Sequence, residues 1–171
     1  MTLNKVLSAV SCVLVVSFPA LAQAKANVAD QAFMKMAAQA DMTEAHIGQM
    51  AANQASQSQV KDFGQKLIHD HTDAYEQLAT LAAKTGSSIP KGINVRKISA
   101  VEQLMKLKGK QFDHQFVLEE IRDHQKAIAD FKRETHRGKD PDIKAYASKM
   151  IPVLEEHLSQ AKALAKPVKH S

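Results

Sequence analysis

The sequence predicts an all-α fold, a bundle of four helices arranged as two helical hairpins. Three observations carry this reading. Four segments repeat apolar residues at three- and four-residue spacing. Serine, glycine and an Asp-Pro pair punctuate them where helices should start or stop. The middle connection is also much longer than the other two.

The first helix is expected over about 29–55. Asn27 is its N-cap, Asp30 follows three residues later, and Phe33, Ala37, Ala40, Ile47 and Ala51 form its apolar stripe. The second is expected over about 57–85, opened by a Ser56-x-x-Gln59 capping box and closed by Gly86 in a left-handed conformation. Its stripe is Val60, Phe63, Leu67, Ala74, Leu78 and Leu81. Residues 87–97 contain Pro90 and Gly92 and show no period, which predicts a loop. A second box, Ser99 with Glu102, predicts a third helix over about 99–137 carrying Phe112, Phe116, Ile128 and Phe131 and ended by Gly138. Asp140-Pro141 then gives an N-cap followed by proline at the first helical position. The fourth helix is expected over about 140–165, with Ile143, Tyr146, Met150, Val153, Ala161 and Leu164 inward.

The connections near Ser56 and Gly138 are tight, whereas the middle one, at about 11 residues, can extend to about 36 Å. Helices of about 28 residues are about 42 Å long, so that loop can nearly traverse the bundle. The expected topology is ferritin-like: two hairpins joined by a long crossover. The halves also echo each other, since Val60-Lys61-Asp62-Phe63 opens the second helix as Ile143-Lys144-Ala145-Tyr146 opens the fourth.

Residues 1–24 read as a secretory signal peptide: Lys5, an apolar run from Val6 to Phe18, Pro19, and the small-residue pattern Ala22-Gln23-Ala24. The run, about 13 residues, is shorter than the roughly 20 that span a bilayer, and no second such run follows. The expectation is a periplasmic protein of one domain, residues 25–171, without a transmembrane segment. Peripheral association with the envelope and the oligomeric state stay open. The only cysteine, Cys12, lies inside the apolar run. Its position removes disulfides, thiolate metal sites and a cysteine nucleophile from consideration in the mature chain. Basic residues number 23 against 18 acidic, and one of the bases, Lys5, lies in the leader. Apart from Lys106, Lys108 and Lys110, the lysines scatter along helical faces, so the mild excess predicts solvated surface and no nucleic-acid partner.

The informative pattern is polar. Each apolar stripe is interrupted near its middle by a carboxylate or a histidine: Glu44 in the first helix, Asp70 and His71 in the second, Glu120 and His124 in the third, His157 in the fourth. At 1.5 Å per residue, Glu44 lies about 18 Å before the first turn and His71 about 22 Å after it. His124 lies about 22 Å before the last turn and His157 about 28 Å after it. All four fall near mid-height. Glu44, His71, His124 and His157 therefore form a candidate first shell for zinc, copper or iron, with Asp70 and Glu120 as acceptors that orient the rings. The competing reading is a metal-free Glu/Asp–His hydrogen-bond network that fixes helix register. A third, a redox or peroxide-handling enzyme, would need an open coordination position and a redox-active metal.

His46, His69, His114 and His136 have neighbours that predict surface positions, and His170 lies in the tail. Met34, Met36, Met42, Met50, Met105 and Met150 are spread over several helices, which favours core filling over a thioether copper site. Pro152 removes a backbone donor about a turn before His157 and should bend the fourth helix.

Glu44, Val60-Lys61 with Phe63, Asp70-His71, Phe112-Asp113, Asp123-His124, Asp140-Pro141, and Pro152 with His157 together resemble the bacterial secreted family called domain of unknown function 4142. The resemblance covers nearly the whole mature chain. It implies a ferritin-like fold and export to the periplasm or outer membrane, and it implies no activity. The chain departs from the di-iron ferritin pattern, because neither of its halves has a Glu-x-x-His pair: Glu120 and His124 are four apart, and Ile47 stands where Glu44 would need a histidine. No glycine-rich phosphate loop and no Gly-x-Ser-x-Gly elbow is present.

Overall fold

A computed structural model describes residues 26–166; the expected signal peptide, residues 1–24 with Cys12, and His170 lie outside them. All the secondary structure among the described residues is helical. Four long helices, α1 (Val28–Gln54), α2 (Ser58–Lys84), α4 (Gly109–Arg137) and α5 (Pro141–Leu164), form the bundle, and a short α3 (Ile98–Lys106) belongs to the crossover. Helix α1 packs on α2 and α4 on α5, and the hairpins meet through α2–α5 and α1–α4.

Several ends follow local chemistry. Asn27 accepts from the backbone N–H groups of Ala29 and Asp30 at 2.9 and 3.2 Å, and Asp140 accepts from Asp142 and Ile143 at 2.9 and 3.2 Å with Pro141 at the first helical position. Gly86 takes a φ of 62°, and the bonds Ser87 N–H to Ala82 O (2.8 Å) and Gly86 N–H to Ala83 O (3.2 Å) close a Schellman motif.

The two predicted capping boxes do not form. Helix α2 starts after Gln57, which gives no side-chain cap. Ser56 turns instead to Asp113 on α4: its backbone N–H and hydroxyl donate to that carboxylate at 2.8 and 2.6 Å, and the Gln57 N–H donates at 2.9 Å. A carboxylate accepts more strongly than a neutral side chain, so a charge from another helix replaces the local cap. At the opposite end Asp30 accepts from the N–H groups of Lys139 (3.1 Å) and Asp140 (2.7 Å).

The third segment is two helices rather than one. The chain extends at Leu107 and Lys108 and re-enters helix at Gly109 with φ 56°, a left-handed position that glycine adopts without steric cost. Ser99 lies inside α3, which is reached through a 3₁₀ turn, Val95–Lys97, capped by Asn94. The crossover is tied to the bundle wall: the Tyr75 hydroxyl donates to Pro90 O at 3.0 Å, and the Asn94 N–H donates to the Thr43 hydroxyl at 3.0 Å. It therefore passes beside the middle of α1, next to Glu44.

Helices α1 and α2 cross at Gly48 and Gly64, where a Cβ on Gly64 would stand 2.6 Å from the Gly48 carbonyl oxygen. Backbone contact sets that spacing. The core divides into two apolar clusters. One gathers Phe33, Met34, Leu78, Phe131, Ile143, Met150 and Leu154; the other gathers Ile47, Val60, Phe63, Leu67, Phe112 and Phe116. Between them, at mid-height, lies a layer of buried polar side chains.

Candidate metal centre

Each of the four long helices contributes to the polar layer because each stripe carries an ionisable residue where the clusters part. Asp41, Glu44, His71, Glu120, His124 and His157 are all buried, and His157 has no exposed surface. The structure brings His71, His124 and His157 together: each offers a ligand atom, and the three atoms lie within 4.8 Å of one another. Glu44 groups with Glu120 and His124 at the same limit. Five of the six residues named from the sequence thus form two overlapping triads that share His124, and the sixth, Asp70, lies beside them. His46, His69, His114 and His136 are exposed.

The outer nitrogen of each ring lies within hydrogen-bond distance of an oxygen. His71 Nδ1 lies 3.0 Å from Asp41 Oδ1, His157 Nε2 lies 2.8 Å from Asp70 Oδ2, and His124 Nδ1 lies 2.9 Å from the Glu120 carbonyl oxygen. A carbonyl only accepts, so His124 carries its proton on Nδ1 and a lone pair on Nε2. Burial pushes the Asp70 carboxyl up, but hydrogen bonds from His157, Lys66 and His69 outweigh it and leave the group below its ordinary value. Asp70 is therefore an anion, the His157 proton sits on Nε2, and Nδ1 has the lone pair. Yet His124 Nε2 and His157 Nδ1 face each other at 3.2 Å. Two lone pairs are aimed at one another, and the buried Nε2 of His71 has no partner among the described residues.

A proton between the rings would resolve this only by charging one of them, and the surroundings oppose that. Burial, then the charges of His71 and His157, lower His124 to about 3. Burial lowers His71 to about 4, against a small upward pull from Asp70. Burial and then His71 lower His157 to about 4 despite Asp70. Three neutral imidazoles whose inner nitrogens converge are the donor set of a first-row metal site, and carboxyl or carbonyl partners on the outer nitrogens are what orients such rings.

The carboxyls are perturbed in the opposite sense. Burial and the negative charge of Asp123 raise Glu44 to about 7. Burial and the Glu44 charge raise Glu120 well above the carboxylate range. Burial also raises Asp41, which the Tyr146 hydroxyl only partly offsets. Asp41 was not anticipated from the sequence, although a buried-face signal existed: it falls one turn after Ala37 and one before Glu44. A cavity of about 110 Å³ reaches the layer from the crossover side, lined by Thr43, Glu44, His71, Asn94, Lys97, Asp123 and His124 among others. Lys97 spans its rim with Nζ at 2.6 and 2.5 Å from the two oxygens of Asp123.

A family model, the domain of unknown function DUF4142, matches residues 16–164. The chain belongs to the DUF4142 family. No curated protein matches it. Among solved structures this DUF4142 chain resembles a DUF305 fragment from Deinococcus radiodurans, with a TM-score of 0.73 at 15% identity over 82% of this chain and 97% of that one. It also resembles CopM in a Cu(II)-bound form, with a TM-score of 0.68 at 18% identity over 80% of this chain and 95% of that one. A silver-bound form of CopM gives 0.64 at 18% identity, over 78% and 93%. These likenesses establish a shared helical-bundle fold. No helix among the described residues of the DUF4142 chain is long and apolar enough to cross a membrane.

Proposed function

We propose that this chain is an exported protein that binds a transition-metal ion through His71, His124 and His157, and that it serves to hold or buffer that ion in the periplasm. One observation carries the reading: His124 Nε2 and His157 Nδ1 stand 3.2 Å apart while the other nitrogen of each ring is committed to an acceptor. A metal-free network leaves that contact repulsive. A cation placed among the three inner nitrogens turns it into shared coordination and gives the orphaned His71 Nε2 a partner.

Three imidazoles suit zinc and copper best, with iron a further possibility. The likeness to a protein described in Cu(II)- and silver-bound forms supports trying copper first. Three protein donors leave a fourth position, and the cavity beside His71 and His124 offers it to water or to a molecule receiving the ion. Export is supported by the leader itself: Lys5, the run to Phe18 and Ala22-Gln23-Ala24.

The test is metal analysis of untagged protein purified from periplasm, with melting curves before and after chelation. Retained zinc or copper is expected, with a rise in melting temperature on reloading that disappears in a His71→Ala, His157→Ala variant. Less than about 0.1 equivalent of any transition metal, with no shift on adding zinc, copper or iron, would retire the proposal.

A further inference from the structure

The three imidazoles use only part of the buried polar layer. On the other side of His124 lie Glu44 of α1 and Glu120 of α4, and the ligand atoms of Glu44, Glu120 and His124 come within 4.8 Å of one another. Both carboxyls are more than nine-tenths buried, at 7% and 1% exposure, and Oε2 of each has no partner among the described residues. Lys97 lines the same cavity as Glu44, but its ammonium is taken by both oxygens of Asp123. Two facing carboxyls buried together make an arrangement that is costly unless a shared proton or a cation lies between them.

His124 stands between the two sets. Its Nε2 is 3.2 Å from His157 Nδ1, and its Nδ1 is 3.4 Å from Glu120 Oε2. One ring nitrogen thus faces each triad.

We infer that Glu44, Glu120 and His124 form a second cation position beside the three-imidazole one, so that the bundle holds two ions with the His124 ring between them. This rests on the proposed imidazole site, because His124 is common to both. Two carboxylates and one nitrogen suit a harder divalent ion, such as zinc, manganese or ferrous iron, than three imidazoles do. To ligate through Nδ1 the ring gives up the proton it donates to the Glu120 carbonyl. With Nε2 also engaged it is then an imidazolate, and the proton passes to solvent. The cavity that touches both Glu44 and His124, about 110 Å³, has room for an ion with a water or two.

The experiment counts zinc. Metal-free protein of full mature length is loaded with excess zinc, desalted, and its zinc measured by plasma mass spectrometry. A Glu44→Gln, Glu120→Gln variant is loaded in parallel, since carboxamides keep the size of the side chains and can hydrogen-bond to each other. The expected result is two equivalents in the wild type and one in the variant, the latter still giving a melting shift. One equivalent in both proteins overturns the second position and leaves the imidazole site standing. One in the wild type and none in the variant overturns it too, since a single ion would then span both triads. No zinc in either overturns both readings. Two equivalents in both proteins overturn it as well, since the second ion would then sit elsewhere. Should the double variant not fold, Glu44→Gln alone should weaken the second zinc at least tenfold while the first is unaffected, and a second zinc unchanged by it overturns the proposal.

Discussion

Asp30 and Asp113 hold equivalent turns at opposite ends of the bundle: Asp30 on α1 accepts from the N–H groups of Lys139 and Asp140, and Asp113 on α4 accepts from those of Ser56 and Gln57. The same sequence separation that relates the two aspartates also relates Ser56-Gln57 to Lys139-Asp140, Phe33 to Phe116, Val60 to Ile143 and Phe63 to Tyr146. The hairpins are thus two copies of one plan. The middle departs from it. By that separation Asp41 corresponds to His124, Ala37 to Glu120, Ala74 to His157 and His71 to Leu154. The symmetric parts hold the turns and the core, and the candidate site is built where the copies differ.

Replacing Asp113 with alanine should therefore cost about 2–3 kcal/mol, since it strands two backbone donors and a hydroxyl that a carboxylate now accepts. Asp30→Ala should cost less, because removing it also relieves Glu134, whose neighbouring negative charge it is. The two sites share no partner, so the double variant should be additive within about 0.5 kcal/mol. Urea unfolding of the four proteins measures this. A loss below about 0.5 kcal/mol for Asp113→Ala would show that water replaces the carboxylate at no cost.

Glu134 supplies a second expectation. Burial, then the charge of Asp30, raises its carboxyl to about 7. The folded value lies above the unfolded one near 4.3, so its contribution to stability is full below the unfolded value and is lost as pH climbs through about 7. Glu134→Gln keeps an N–H donor for Asp30 and removes the titration. Its melting temperature relative to the wild type should rise between pH 5 and pH 8, and an offset that stays constant over that range would show that Glu134 is ionised throughout.

Much of the fold was legible in the sequence because long amphipathic helices repeat their signal over many turns. Gly86 and Asp140-Pro141 were legible because their chemistry is local. Ser56-Gln59 misled because the better acceptor for Ser56, Asp113, is remote in sequence and close in space. The break at Leu107–Lys108 was missed because Gly109 lies within an otherwise periodic stretch, and only the fold requires its φ of 56°. For the site, helix rise alone put the histidines at one level. It could not divide the carboxylates, because which side of His124 Glu44 occupies depends on helix rotation.

The histidines predict a pH response opposite in sign to that of Glu134. The folded values of His71, His124 and His157 fall to about 4, 3 and 4, below the unfolded value near 6.5. Their contribution is full above about 6.5 and is lost as pH drops through that value toward the folded ones. Glu44 and Glu120 oppose this over part of the range, being raised, so the comparison has to be between proteins. The melting temperature of metal-free wild type relative to His124→Gln should fall as pH goes from about 7 to 4. An unchanged difference would place the His124 ring in contact with solvent.

The last expectation concerns Asp41, whose Oδ1 lies 3.0 Å from His71 Nδ1. Burial raises its carboxyl well above the usual range, so in the metal-free protein its negative charge is a cost. With a metal on His71 Nε2 the balance reverses, because an anion behind the ring fixes the tautomer and makes the inner nitrogen more basic. Asp41→Asn keeps an oxygen that can accept from Nδ1–H and removes the charge. Two effects of opposite sign should follow from this one substitution. The metal-free variant should melt higher than wild type at pH 8, where the carboxyl is most strongly driven to ionise, and its zinc affinity should fall by about 10- to 100-fold. Melting curves with and without zinc, together with a competitive zinc titration, read both. Stability and affinity falling together would mean that Asp41 only packs against His71, and an unchanged zinc affinity would mean that His71 is oriented by the helix packing around it and not by the carboxylate.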